Sequence, residues 1–179
     1  MRNLRILAIT YVILFSLGCA QTVLRPQIFT ETHHRLFSLS DRTLAISIPQ
    51  DKSQIVGRQW TLIIVPAGIV SVESINQLFV SSLQLNAGMQ GISLRLVSDS
   101  EKNSVLAIED IDISCSAKDL LFIRRIGCSV KTQVRVLDKT LLIEGDSHSY
   151  RFSGHREMIE PVLYEALNRC SDNLLSLII

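Results

Sequence analysis

The chain has 179 residues, with 18 Lys and Arg against 17 Asp and Glu and a 47% share of hydrophobic residues. The near balance of charge excludes a broad nucleic-acid footprint, which needs a basic face, and the apolar content excludes a disordered chain. The length suits one domain behind a leader, and a domain of that size buries about 70% of its unfolded surface, enough for an ordinary core.

At the N-terminus, Arg2 and Arg5 precede an apolar run from Ile6 to Leu17. The run has the length of a signal-peptide core and is too short for a membrane span. It ends in Ser16-Leu17-Gly18-Cys19, which resembles the bacterial lipobox. In that family of signals the cysteine thiol receives a diacylglycerol and the preceding peptide is removed. The resemblance implies a signal peptide over residues 1–18 and lipid attachment at Cys19. Gly18 supplies the small residue beside the cut, while Ser16 stands where Leu is commonest in the pattern. Two other outcomes stay open. Gly18-Cys19-Ala20 is itself a small-x-small site, so cleavage after Ala20 would release a soluble periplasmic or secreted protein starting at Gln21. Without cleavage the segment would remain as a signal anchor, against which its shortness argues. Each buried lipid methylene contributes about 0.8 kcal/mol, and more than one chain makes anchoring stable. Ala20, in place of Asp, implies by the same resemblance the outer membrane of a Gram-negative cell, with the domain facing the periplasm.

Residues 19–43 have weak periodicity and mixed polarity, which suggests a tether, although Ile28-Phe29 or Leu36-Phe37 could pack on the domain assigned to residues 44–179. Leu44, Ile46 and Ile48 alternate as a short strand stopped by Pro49. Asp51 to Arg58 reads as a polar connection, and Trp60 to Val65 as an apolar strand ended by Pro66 and Gly68. Ser71 is the expected helix cap, with Val72, Ile75, Phe79 and Leu83 at helical spacing and Gly88 and Gly91 closing the helix. Ile92, Leu94 and Leu96 resume the alternation, and Asp99 to Asn103 is a turn. In the meander that follows, Val105, Ala107, Ile111, Ile113 and Cys115 share one parity. Cys128, Val130, Thr132, Val134 and Val136 alternate with Ser129, Lys131, Gln133 and Arg135, one face in the core and one in water. Asp138-Lys139 turns the chain into a return strand from Thr140 to Phe152, loosened by Gly145. Ile159, Val162, Leu163, Ala166, Leu167, Cys170, Leu174 and Leu177 then trace the stripe of a closing helix, with Pro161 tolerable in its first turn. The predicted fold is α+β: a mainly antiparallel sheet with two amphipathic helices packed on one face.

Behind a lipobox, that layout over Trp60 to Leu177 resembles several families of small envelope lipoproteins. These are the outer-membrane lipopolysaccharide-assembly lipoprotein, the YajG-type lipoproteins and the auxiliary lipoproteins of ABC-type envelope transport systems. The features that carry the resemblance are the apolar strand ending in Pro66-Ala67-Gly68, the helix, the hairpin from Cys128 to Phe152 and the closing helix. It implies binding to other envelope components rather than catalysis, and no residue-level signature carries a functional residue across.

Three constellations stand out. Cys115 and Cys128 fall opposite each other if residue 113 faces 130 and 111 faces 132, so they form either a disulfide or a pair of buried thiols; a bridge from Cys170 to either stays open and needs the right depth under the helix. An exported chain permits the bridge. With Cys19 acylated, Cys115, Cys128 and Cys170 are an odd number, so one thiol stays over. Between the paired cysteines, Leu120-Leu121-Phe122-Ile123 runs into Arg124-Arg125, with Lys118, Lys131 and Arg135 nearby. This is either a docking edge, with Leu120, Phe122, Arg124 and Arg125 as binding residues for an acidic partner or anionic lipid, or a solvated hairpin tip and strand continuation. His33, His34, His148 and His155 have no partner at metal-ligand or triad spacing, and Glu157, Glu160 and Glu165 read as a solvated helix face. No nucleophile elbow, zinc-binding His-Glu-x-x-His or phosphate-cradling loop is present in the sequence, so no metal or cofactor is expected. The expected function is that of a non-enzymatic lipoprotein binding a periplasmic or outer-membrane partner as an assembly or transport accessory. The alternatives are an accessory subunit that binds lipid or lipopolysaccharide directly, and a lipid-anchored or secreted hydrolase without a recognisable motif.

Overall fold

The computed structural model describes residues 20–24, 42–51, 53–61, 65–97, 106–120, 122–136, 139–152 and 159–178. Eight strands and two helices follow in the order β1 (Ala20–Leu24), β2 (Arg42–Ser47), β3 (Gln54–Thr61), β4 (Val65–Val72), α1 (Ile75–Met89), β5 (Ile92–Leu96), β6 (Leu106–Leu120), β7 (Ile123–Val136), β8 (Lys139–Phe152) and α2 (Ile159–Ser176). The strands form a single sheet organised around β6. Along one edge β6 pairs antiparallel with β7, which pairs antiparallel with β8. Its other edge is shared. β2 pairs parallel at the start (Ile46 with Leu106) and β3 parallel near the end (Gly57 with Cys115), so the sheet forks into β2–β5 and β3–β4–β1.

The sheet is mixed, which corrects the expectation of a mainly antiparallel one. The β1–β4, β2–β5, β2–β6 and β3–β6 pairings are parallel; the β3–β4, β6–β7 and β7–β8 pairings are antiparallel. Alternation identifies a strand but not its partner, and parallel partners require a crossover. Here β3, β4 and α1 intervene between β2 and β5.

Several boundaries shift for local reasons. The stretch expected to be a polar connection over Asp51 to Arg58 becomes strand from Gln54 onward. The apolar strand expected over Trp60 to Val65 is instead the end of β3 and the start of β4, with Pro66 and Gly68 inside β4. Pro66 pairs with Trp60 beside a register shift, the position where a ladder tolerates a residue that lacks an N–H. Ser71 lies in β4, and Ser74 caps α1 instead: its Oγ accepts from Gln77 N at 3.1 Å and donates to Asp51 at 2.5 Å. Asn76 Nδ2 donates to Pro49 O at 2.6 Å, binding the β2–β3 loop to the same helix end. Val72 ends β4 rather than starting the helix, yet is buried. The presumed tether contains β1, which pairs Ala20 with Gly68 and Leu24 with Val72, and Arg42 already begins β2. The expected turn over Asp99 to Asn103 and the packing of Ile28-Phe29 and Leu36-Phe37 lie outside the described residues.

The core lies between one face of the sheet and both helices. From β7 it takes Ile126, Cys128, Val130 and Val134; from α1, Ile75, Leu78, Phe79 and Leu83; from α2, Val162, Leu163, Ala166 and Leu167. Leu177, expected on the α2 stripe, falls past the helix and is exposed, while Leu175 is buried. In β6 a register shift between Ile108 and Asp110 reverses the parity: Leu106 and Ile108 join the core, whereas Ala107 is buried outside it. The expectation that Ala107 shares a face with Ile111 assumed an unbroken ladder, and a bulge breaks it. Buried Thr132 donates to Asp110 O at 3.0 Å, at this same irregularity. Between the helices runs a polar seam: Ser82 Oγ donates to Asn168 Oδ1 at 2.8 Å and lies 3.1 Å from Ser171 Oγ, and Asn86 Nδ2 donates to Asn168 O at 3.0 Å. Satisfied buried polar groups of this kind fix one helix register, since any slip would leave them unpaired.

Candidate functional site

The long β6–β7 hairpin carries most of the side chains singled out in the sequence. Antiparallel pairing sets three rows at its tip. Lys118 pairs with Arg125 and Arg125 with Tyr150; Asp119 pairs with Arg124 and Arg124 with Arg151; Leu120 pairs with Ile123 and Ile123 with Phe152. Since side chains alternate between faces, Arg124 and Arg125 must point to opposite sides.

That alternation divides the expected binding residues. Arg124 falls on the parity of core residues Ile126 and Cys128. Its Nε lies 3.3 Å from Asp119 Oδ1, an ion pair without hydrogen-bond alignment, and its Nη2 reaches Gln59 Oε1 at 3.4 Å. Arg124 thus ties the hairpin to β3 and is not a rim charge. Arg125 lies on the outer face, its guanidinium 5.7 Å from the centre of the Tyr150 ring, a cation–π contact. Phe122 is 76% exposed at the turn, Ile123 45% and Tyr150 59%. The side chain of Leu120 lies outside the described residues, as does Cys19.

Cys115 and Cys128 stand in register with Cα atoms 4.2 Å apart and are joined by a disulfide. The bridge crosses the hairpin below the tip, and Ile113 faces Val130 and Ile111 faces Thr132 beyond it. Cys170, on α2, is free and buried against β8, its thiol 3.7 Å from Ile143 O. Burial first, then the carboxylates of Glu144 and Asp146, push its thiol up to about 12, so at neutral pH it stays protonated and inert.

On the rest of the outer face, Lys131 and Glu144 pair at 2.8 Å and Arg135 and Glu109 at 3.3 Å. The Glu144 hydrogen bond, then its charge, raises the Lys131 pKa, but exposed pairs contribute little to stability. At the α2–β8 boundary Glu165 accepts from Ser147 at 2.7 Å and pairs with Arg169 at 2.6 Å. These contacts, Ser147 first, hold its carboxyl below its ordinary value. Glu165 is exposed, as expected of a solvated helix face, and through Ser147 it also joins α2 to β8. An open depression of about 340 Å³ lies between Ser47, Pro49, Gln50, Ala107, Ile108, Glu109 and Arg135. Its two charged groups are engaged with each other. Among the described residues no group of three or more His, Cys, Asp or Glu could hold a metal ion, and no helix is long and apolar enough to cross a membrane. His148 lies on β8, while His33, His34, His155 and Glu157 lie outside the described residues.

The chain matches no protein-family model and no curated protein. Among solved structures 11 chains match. One is a crystal structure of an uncharacterized protein, with 11% identity and a TM-score of 0.40, covering 89% of this chain and 100% of that one. Another is rare lipoprotein B from Shewanella oneidensis, also with 11% identity and a TM-score of 0.40, covering 56% of this chain and 83% of that one.

Proposed function

We propose that this chain is a non-enzymatic lipoprotein of a bacterial envelope, held to the outer membrane through acylated Cys19, whose α+β domain binds a periplasmic or outer-membrane partner. The observation that carries the reading is Ser16-Leu17-Gly18-Cys19 at the end of the apolar run. β1 adds to it. The strand begins at Ala20 and is paired along β4 from that residue, so an acyl group on Cys19 would hold the sheet itself at the bilayer, with no long tether between. Partner binding is supported by the outer edge of β8, a strand of 14 residues paired only with β7 among the described residues. Such an edge offers backbone donors and acceptors to an added strand, and exposed Leu142 supplies apolar contact beside it.

Acyl labelling of wild-type and Cys19→Ser chains tests the anchor. Label on the first and none on the second is expected; soluble wild type starting at Gln21 would defeat the reading. Photocrosslinkers along β8 in the native envelope test the partner. A single protein captured from consecutive outward positions is expected, and capture of lipopolysaccharide alone would favour the direct lipid-binding alternative.

A further inference from the structure

The direction of β1 places the anchor and the exposed hairpin at the same end of the sheet. Pairing runs in one row from Ala20 to Gly68, Gln59, Ala117 and Ile126. β3 and β6 run along the sheet toward the hairpin tip, β4 runs back, and β1 runs parallel to β4. Ala20 therefore opens β1 at the tip-side end of the sheet. Three strand steps separate β1 from β6, roughly 15 Å across the sheet, and the tip stands about 10 Å beyond the Ala20 row at about 3.3 Å per residue.

The chemistry at that end is two-sided. Phe122 and Ile123 project apolar surface into solvent, and Tyr150 adds an amphipathic ring. On the outer face Lys118 and Arg125 are exposed and stand in one row with Tyr150, while Asp119 is engaged by Arg124 on the other face. Apolar tips beside exposed basic side chains suit the boundary between headgroups and acyl chains, where side chains sit about 5–10 Å deep. The advance of the tip beyond Ala20 matches that depth. The disulfide below the tip keeps the two strands from parting.

We propose that the β6–β7 tip is a second membrane contact: Phe122 and Ile123 enter the interface of the bilayer that carries the anchor, and Lys118 and Arg125 meet anionic phospholipid headgroups. The orientation relative to the bilayer rests on the anchoring reading; the affinity of the tip for anionic lipid does not. Two attachment points would fix the domain's orientation, leaving the opposite end of the sheet and the β8 edge turned to the periplasm.

The test uses the mature full chain with Phe122→Cys carrying an environment-sensitive fluorophore; buried Cys170 and the bridged pair leave residue 122 as the reactive thiol among the described cysteines. On vesicles containing phosphatidylglycerol the emission should move to the blue and resist quenching by iodide. Lys118→Glu with Arg125→Glu should abolish both effects and, in an unlipidated chain, weaken vesicle affinity by at least about tenfold, as should high salt. An unchanged circular dichroism spectrum would establish that the double variant is folded. Mass spectrometry of the N-terminus reports acylation separately, so a missing acyl group overturns the anchor while the fluorophore still decides the tip. Emission that stays water-like on phosphatidylglycerol vesicles, or equal insertion into phosphatidylcholine alone, overturns the proposal.

Discussion

Gly145 is a point of close approach between α2 and the sheet, and replacing it tests the helix–sheet packing directly. A Cβ built on Gly145 would overlap Ala166 O and Cys170 N and lie 2.8 Å from Cys170 Cα. All three are backbone atoms of α2, so no side chain can rotate aside. Gly145→Ala must lift the helix or bend β8. A lift of about 1 Å forfeits a quarter to a half of each dispersion contact it stretches, along a face that includes Leu163, Ala166, Leu167 and Cys170. Overpacking costs about 1–3 kcal/mol in general, and the rigid obstacle sets the expectation at the upper end, about 3 kcal/mol. With a urea m-value of about 2 kcal/mol/M, the midpoint should fall by about 1.5 M. Gly127→Ala on the neighbouring strand is the control: its Cβ would meet Ser116 Oγ at 3.8 Å, an ordinary contact. That change should be neutral or stabilise by about 0.4–1 kcal/mol through the unfolded chain. Urea titrations followed by circular dichroism measure both. Equal stability for the two variants would refute the close approach of α2 to β8.

Leu167→Ala, at a fully buried site on α2, should cost about 2–5 kcal/mol, whereas Gln133→Ala on the outer face of β7 should fall within about 0.5 kcal/mol of wild type; equal small effects in urea titrations would put the strand parity or helix face in error. The Cys115–Cys128 bridge spans a sequence separation of 13 and should contribute about 3 kcal/mol. Reductant should therefore lower the urea midpoint of wild type and leave a Cys115→Ala/Cys128→Ala variant unchanged, and peptide mapping should recover the linked pair. The Glu165 carboxyl titrates below its ordinary value. Its stabilisation is thus whole above the unfolded carboxylate pKa and disappears as pH falls through the lower folded one. The gap in melting temperature between wild type and Glu165→Gln should therefore close in acid; a gap that widens would reverse the sign.

Wherever one face meets the core, the strands are legible from the sequence. Alternation over Cys128 to Val136 places β7 and its faces, but not the register of its neighbour: a turn at Asp138-Lys139 would set Arg125 opposite Phe152, whereas Lys139 already belongs to β8, pairs with Val136, and so sets Arg125 opposite Tyr150. Pairings between distant segments are not legible. β1 is five residues without a strong pattern, and its partner β4 lies more than forty residues away. Local polarity likewise hid β3, where Gln54 and Arg58 read as part of a connection. At the tip, composition drew attention to Arg124 and Arg125 together. Only parity separates them, and only tertiary placement brings Gln59 to Arg124.

The most direct test of the central claim is the mass of the mature N-terminus, measured on protein extracted from the native membrane. The account predicts a chain that begins at Cys19 and carries a diacylglycerol, with Cys19→Ser accumulating as the unprocessed precursor. A mature chain that begins at Gln21, bears no acyl group and washes free of the membrane would contradict it.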